Sequence, residues 1–547
     1  MMKKPFLFVA CAVLATAVFA DAADDANKAD KSGDDKEKAE AAEFFKPTEK
    51  MTDGTVTVDG TAIRYQAVAG TLVVHPRGWN DVSPLEGSEE ADTIKKDPEP
   101  VASMFYVAYF KKGAEADKRP ITFLYNGGPG SSTVWLHMGA FGPRRVVTAD
   151  DTHTPAAPYE IVNNDSSLLD ASDMVFIDAP GTGFSRIAGK DAGKAFYGVD
   201  QDAYAFTQFI LEFLSKYGRW NSPKYLFGES YGTVRSSVVV DKLVNDDAVD
   251  FNGVILLSQC LNGDLLPDGP EANPAVDLPY EMALPTYAAT AWYHHRLPGN
   301  PPARLEDLVS EVENFAMTDY HQALAAGLSL QPGQKQLIAQ KLHDYTGLPI
   351  DYILKANLRI SGGEFEENLQ GDKDLTTGRL DTRFSGPTLD PLSKEADYDP
   401  QSAAISSAYV SAFNDYVRKS LLYGQGMMFK PVVFDETISK WDFTHKLPPP
   451  QAGNTSQTPN VMLDLADAIK QNPNLKVLLN AGYFDLATPF YEGIYEMRHL
   501  QIPPSLFSNI SFKFYESGHM VYAHPPCLKE LHDNVAAFIR STDNIKN

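Results

Sequence analysis

The chain has 547 residues, 43% of them hydrophobic and 11% aromatic, which is enough for a sizeable core with room for insertions. Its 72 acidic residues outnumber 48 basic ones, for a formal net charge of −24. That balance argues against nucleic acid or an anionic membrane as a partner, since both call for basic patches.

The N-terminus is basic from Met1 to Lys4, apolar from Pro5 to Ala20, and then rich in small residues. That order reads as a signal peptide over residues 1–20, because the apolar run is short for a spanning helix of about 20 residues. The mature protein is expected to be exported, periplasmic or secreted, with no membrane insertion after signal removal. Residues 21–45 are mostly Ala, Asp, Lys and Glu without a periodic apolar face, and are expected to form a disordered tether. Cys11 belongs to the discarded segment, leaving Cys260 and Cys527. Export permits a disulfide between them, and two buried free thiols fit equally well. Neither has zinc-ligand or C-x-x-C spacing, and no His/Asp/Glu cluster has metal-ligand spacing, so no metal or cofactor is expected.

Thr55 to Val74 and Ser103 to Phe110 alternate apolar and polar residues, as antiparallel strands do. The rhythm then changes to short, mostly apolar runs at Ile121–Tyr125, Met174–Asp178, Lys224–Phe227, Gly253–Leu257, Lys476–Asn480 and Ser511–Tyr515. Such runs suit parallel strands covered on both faces. Phe206, Phe209, Ile210, Phe213 and Leu214 mark a helix between them, and Leu528, Leu531, Val535 and Phe538 mark another at the C-terminus. Alternating strand and helix predicts an α/β fold with a mostly parallel central sheet. From Asn262 to Gly453 the strand rhythm stops, and helical patterns such as Arg304–Phe315 and Gln336–Tyr345 appear. The expected layout is a first core part over 46–261, a large, mainly helical cap insertion over 262–453, and a second core part over 454–547.

Gly228-Glu229-Ser230-Tyr231-Gly232 follows one apolar run and precedes a helix-compatible stretch. This is the strand–turn–helix context in which G-x-S-x-G forms a nucleophile elbow; outside it the same pattern is an ordinary Gly/Ser turn. A serine nucleophile needs a base, and the base an orienting carboxylate, here in the chain order Ser, acid, His. Asp485 follows the run Lys476–Asn480, and His519 follows Ser511–Tyr515. His294, His295 and His524 have no comparable placement. The glycine-rich Asn126-Gly-Gly-Pro-Gly-Ser-Ser132 follows an upstream run and lacks the Gly-Lys-Ser/Thr ending of a phosphate loop. Its backbone N–H groups, with that of Tyr231, are expected to face a tetrahedral intermediate.

Asn126-Gly-Gly-Pro-Gly-Ser-Ser132, Asp178-Ala-Pro-Gly-Thr-Gly-Phe-Ser185, Gly228-Glu-Ser-Tyr-Gly232, Ala481-Gly-Tyr-Phe-Asp485 and Gly518-His-Met520 occur in this order. Together they resemble the serine carboxypeptidase family, from about Ile121 to the C-terminus. The resemblance implies an α/β-hydrolase fold, Ser230 as acylating nucleophile, His519 as general base and then acid, and Asp485 as the group orienting it. It also implies Gly128 and Tyr231 as oxyanion-hole donors, with Asn126 and a protonated Glu229 binding the substrate's terminal carboxylate. Met520, next to the histidine, is assigned to the substrate pocket. Leu124, Ser131 and Tyr522 stand where the family commonly has Trp, Cys and Pro, and the scarcity of cysteine suggests a bacterial-type branch.

The expected partners are therefore peptides with a free C-terminal carboxylate, cleaved best at acidic pH. The alternatives are an esterase, an acyltransferase or an N-terminal aminopeptidase with a similar Gly-Gly-Pro-Gly loop, all using the same triad, and a catalytically silent binding protein of the same fold. The sequence leaves oligomeric state open.

Overall fold

The computed structural model describes residues 45–79 and 99–545. The expected signal segment 1–20, and the 21–45 tether apart from its last residue, lie outside the described residues.

The sheet opens with strands β1 (Glu49–Val58), β2 (Thr61–Val74) and β3 (Val101–Lys111), paired antiparallel in that order. The alternating stretch from Thr55 to Val74 divides at Asp59-Gly60, where φ values of 46° and 75° make a tight two-residue hairpin turn. There follow β4 (Ile121–Tyr125), β5 (Asp173–Ile177), helix α1 (Val199–Lys216), β6 (Lys224–Glu229), α2 (Tyr231–Asn245) and β7 (Gly253–Leu257). After a long insertion come α7 (Met462–Gln471), β8 (Lys476–Gly482), α8 (Phe490–Arg498), β9 (Ile510–Tyr515) and α9 (Pro525–Thr542). Across the sheet the order is β1-β2-β3-β5-β4-β6-β7-β8-β9, parallel from β5 onward. A parallel sheet of this kind, with helices on both faces, is an α/β-hydrolase fold.

The apolar runs lie where parallel strands form, and β4, β5, β6 and β7 are buried along their whole length. β9 differs: it is the edge strand, and Ser511 is exposed while Lys513 is likewise outside the core. In α1 the phenylalanine-rich face is buried as its spacing predicts. In α9 the buried face is carried by Leu528, Leu531, Val535 and Ile539, while Phe538 is only partly buried at its margin.

The stretch 262–453 contributes α3 (Leu278–Tyr293), α4 (Leu305–Phe315), α5 (Pro332–Thr346) and α6 (Pro400–Lys419). The first three share a separate small core with Tyr287, Leu308, Phe315, Leu342 and Phe365. The fourth does not join them: Tyr409, Phe413 and Tyr416 pack with Phe141 and Phe176 on the sheet's own core. The insertion is thus two bodies, one raised on its own core and one laid back on the sheet. Among the described residues no helix is long and apolar enough to cross a membrane.

Candidate active site

The ends of β4, β6, β8 and β9 open on one edge of the sheet, the carboxyl edge, where ligands bind open α/β sheets. Residues following each of these strands line one cavity of about 830 Å³, together with α6 and the segment Pro431–Glu436.

Ser230 sits between β6 and α2 with φ 61° and ψ −131°, a left-handed conformation that a non-glycine residue adopts only under constraint. Its N–H donates to the Leu257 carbonyl at 3.0 Å, and its carbonyl accepts from Thr233 N and Oγ1 at 2.8 and 2.7 Å. The flanking glycines allow the close approach. A Cβ on Gly228 would lie 2.1 Å from the Gly232 carbonyl oxygen, and one on Gly232 would lie 2.9 Å from that of Tyr125.

Asp485 is fully buried and saturated with donors. Its Oδ1 accepts from Ala487 N and Thr488 N at 2.9 and 3.0 Å, and its Oδ2 accepts from Thr488 Oγ1 at 2.7 Å. The same Oδ2 lies 2.8 Å from His519 Nδ1. An N–H at Nδ1 facing this carboxylate leaves Nε2 as the ring's acceptor. Burial works to lower the His519 pKa, but the charge and hydrogen bond of Asp485 outweigh it and raise it above the usual imidazole value. Ser230, His519 and Met520 all border the cavity.

Asn126 and Glu229 meet beside Ser230: Asn126 Nδ2 donates to Glu229 Oε2 at 2.8 Å, and both side chains are buried. Burial pushes the Glu229 carboxyl up to about 7, against the lowering effects of His519, Tyr522 and Asn126. The Asn126 side chain is fixed from its other end, Oδ1 accepting from Leu136 N at 3.1 Å. Its backbone carbonyl accepts from Arg235 Nη1 at 2.8 Å, and Arg235 is paired with Asp202 at 2.6 Å in a fully buried ion pair.

Tyr231 is the first residue of α2, so its N–H belongs to the helix-terminal group without an intrahelical acceptor. Gly127 packs directly against it, and Gly128 follows with φ 114°. The 178–185 motif supports this loop from below. Asp178 Oδ1 accepts from Thr133 N at 2.8 Å, and Thr133 Oγ1 accepts from Asn126 N at 3.3 Å. A Cβ on Gly183 would fall 1.7 Å from Asp178 Oδ2.

Several contributors have no signal in the sequence. Thr488 joins the Asp485–His519 pair, its Oγ1 lying 3.2 Å from His519 Nδ1. Ser258 Oγ donates to the His519 carbonyl at 2.7 Å. The insertion segment 379–382 clips both loops together: His519 N donates to Leu380 O at 2.6 Å, Thr382 N to Phe484 O at 2.9 Å, and Leu486 N to Arg379 O at 3.1 Å. Tyr522, a departure from the family pattern in the sequence, places its Oη 2.9 Å from Glu229 Oε2. Of the other histidines, His294 Nε2 bonds the Thr382 carbonyl at 2.6 Å and His524 Nδ1 lies 2.7 Å from Asp150. Cys260 and Cys527 are free buried thiols, the first bordering the cavity.

Residues 81–267 match the family model described as serine carboxypeptidase. The chain is 29% identical over 141 residues to the pheromone-processing carboxypeptidase KEX1 of Phytophthora infestans, covering 23% of this chain and 21% of that protein. It is 34% identical over 101 residues to the protein of the same name from Saccharomyces cerevisiae, covering 18% and 13%. Serine carboxypeptidase-like 36 of Arabidopsis thaliana is 22% identical over 228 residues, covering 39% of this chain and 44% of that one. The chain spans less than half the length of each of these relatives. Among solved structures, the proline iminopeptidase of Mycobacterium smegmatis aligns with a TM-score of 0.31 at 12% identity, covering 90% of this chain and 99% of that one.

Proposed function

We propose that this chain, whose residues 81–267 match the serine carboxypeptidase family model, hydrolyses the C-terminal peptide bond of peptides through an acyl-enzyme on Ser230. His519 Nε2 takes the Ser230 proton as Oγ attacks the scissile carbonyl, with Asp485 holding the ring in the required tautomer. The N–H groups of Gly128 and Tyr231 receive the oxyanion of the tetrahedral intermediate. His519 then gives the proton to the leaving amine, the terminal amino acid departs, and water releases the acyl group by the same steps in reverse.

The observation that carries the choice of substrate is the 2.8 Å contact between Asn126 and a buried Glu229 beside Ser230. Two carboxyls in hydrogen-bond contact cannot both stay ionised cheaply, so a Glu229 that keeps its proton up to about 7 can donate to a peptide's terminal carboxylate. Ionised Glu229 would repel it, so peptide binding weakens above neutrality, while His519, held above the usual imidazole value by Asp485, must lose its proton to act as the base and sets the acid limit of turnover. The 262–453 insertion acts as the cap in this reading, since α6, Arg379-Leu380 and Pro431–Glu436 all help line the cavity. Export rests on the basic, apolar and small order of the N-terminal residues.

The test is incubation with an N-acyl dipeptide and its C-terminal amide at pH 5, with Ser230→Ala as control and mass spectrometry as readout. The free acid should be cut, the amide hardly, and neither by the variant. Hydrolysis of simple esters but of neither peptide would overturn the substrate assignment while leaving the serine chemistry.

A further inference from the structure

We propose that Tyr522 is a positioning residue of this site, whose phenol holds the Glu229 carboxyl in the orientation in which it meets a peptide's terminal carboxylate beside Asn126. This rests on the carboxypeptidase reading above. Tyr522 Oη lies 3.1 Å from Oε1 and 2.9 Å from Oε2 of Glu229. Its ring is buried at 2% exposure, and it stands behind Glu229 rather than on the cavity wall. It therefore acts through Glu229 and not on the substrate.

The surroundings are arranged for this contact. Tyr522 lies on the short turn Val521–Ala523 that follows His519. Its ring enters a space kept open by Gly139, where a Cβ would come 2.7 Å from Tyr522 Cδ2 and 2.6 Å from Tyr409 Oη. Gly139 belongs to the turn Leu136–Phe141, whose first N–H is bonded to Asn126 Oδ1. Asn126, Glu229 and Tyr522 are thus anchored on three strand ends and braced by one turn.

A free carboxyl group can rotate and present either oxygen to any face. Here Asn126 Nδ2 engages Oε2, and the Tyr522 phenol lies within hydrogen-bond distance of both oxygens. The groups facing Glu229 are Asn126 from the β4 loop, His519 and Tyr522 after β9, Asp485 after β8, and Tyr409 from α6. A donor to the carboxylate favours its ionised form, so Tyr522 opposes the effect of burial and limits how far Glu229 holds its proton. Removing the phenolic oxygen should have two separable results: a less well aimed carboxyl and a higher pH of ionisation.

The experiment uses Tyr522→Phe, which keeps the ring and loses only the donor, and Tyr522→Gln, which supplies an N–H donor in its place. Folding of both is checked by thermal melting. The ionisation of Glu229 is followed by infrared pH-difference spectra, with its carboxyl band identified by loss in Glu229→Gln. Kinetics are measured on the N-acyl dipeptide acid and its amide from pH 5 to 9. The phenylalanine variant should move the Glu229 midpoint and the alkaline limb of kcat/KM upward by about one pH unit. At pH 5 its KM should rise several-fold with kcat changed less than about twofold. The glutamine variant should lie between it and the wild type. An unmoved Glu229 midpoint in Tyr522→Phe, or a glutamine variant displaced as far as the phenylalanine one, overturns the proposal. So does a moved midpoint without any change in KM for the free acid. If the wild type fails to distinguish free acid from amide, the carboxypeptidase reading falls instead, and the infrared midpoint still decides whether Tyr522 governs Glu229.

Discussion

Replacing Gly127 by alanine should abolish most of the turnover while the fold survives. Gly127 does not occupy the left-handed region, so alanine meets no backbone penalty there. The difficulty is space. A Cβ would stand 2.4 Å from Tyr231 N, 2.6 Å from Gly232 N and 2.8 Å from Tyr231 Cα. These are backbone atoms in the first turn of α2, and they cannot rotate aside as a side chain would. Restoring an ordinary contact separation of about 3.5 Å requires the β4 loop and the helix start to part by roughly 1 Å. Overpacking of this kind costs typically 1–3 kcal/mol, within the 5–15 kcal/mol by which domains are usually stable. An oxyanion donor, however, must lie 2.7–3.1 Å from the oxygen it serves, so a shift of about 1 Å withdraws the Tyr231 N–H. Loss of one such donor is worth about 2.7–4 kcal/mol, or 10²–10³ in kcat. The assay is kcat and KM on the N-acyl dipeptide, with circular dichroism to confirm folding, and KM should change far less than kcat. A folded Gly127→Ala enzyme with kcat within about threefold of wild type would refute both the steric reasoning and the oxyanion assignment.

Glu229→Gln should flatten the alkaline limb of kcat/KM for a free-acid peptide. In the wild type Glu229 ionises near 7, and the limb falls about tenfold for each pH unit well above that point; a limb that persists in the glutamine variant, or occurs equally with the amide, speaks against the assignment. Arg235→Met should destabilise the protein by about 3–5 kcal/mol, because it strands the Asp202 carboxylate in the core. Urea unfolding measures this, and a loss under about 1 kcal/mol would mean that the ion pair is not structurally important. His445 lies 2.8 Å from Asp200 and 2.9 Å from Asp464. Burial alone would lower its pKa, but the two carboxylates raise it to about 9. Because the folded value exceeds the unfolded one near 6.5, its contribution is complete below about 6.5 and lost as pH rises through about 9. His445→Gln should therefore be less stable than wild type at pH 6, with the gap closing toward pH 10; a gap independent of pH contradicts this.

What could be read from the sequence was what repeats locally. The parallel strands are legible because a strand covered on both faces is apolar nearly throughout and does not alternate, as in Ile121–Tyr125 and Gly253–Leu257. The residues at their carboxyl ends could then be placed on one edge of the sheet, which brings Ser230, Asp485, His519, Asn126 and Glu229 into one neighbourhood. Elements without a contrast of faces were not legible. α3 is buried nearly all round from Pro279 to Ala291, so no polar stripe marks it as a helix, and Pro285 inside it reads as a break. α6 does carry a face, with Ile405, Tyr409, Phe413 and Tyr416 at helical spacing, but spacing does not say that this face lies on the sheet's core and not on the small core of α3 to α5. The edge position of β9 likewise depends on a neighbour's absence, not on its own composition.

The site's supporting groups escaped for a different reason: their partners are distant in sequence and bonded through backbone atoms that carry no residue code. Leu380 serves His519 with its carbonyl, and Arg379 serves Leu486 in the same way. Any residue could supply those atoms, so only the path of the chain selects these. The close fit does leave a mark on the other side of the contact. A Cβ on Gly518 would lie 2.4 Å from Asp381 Cβ and 2.5 Å from its Cα. Gly518 is thus required by the clip that presses on the histidine loop, although the sequence shows it only as part of a motif around His519. The same holds for Gly183 against Asp178 and Gly139 against Tyr522. In each case the glycine records a neighbour that the linear sequence does not name, which is why motif glycines locate the site long before they explain what holds it.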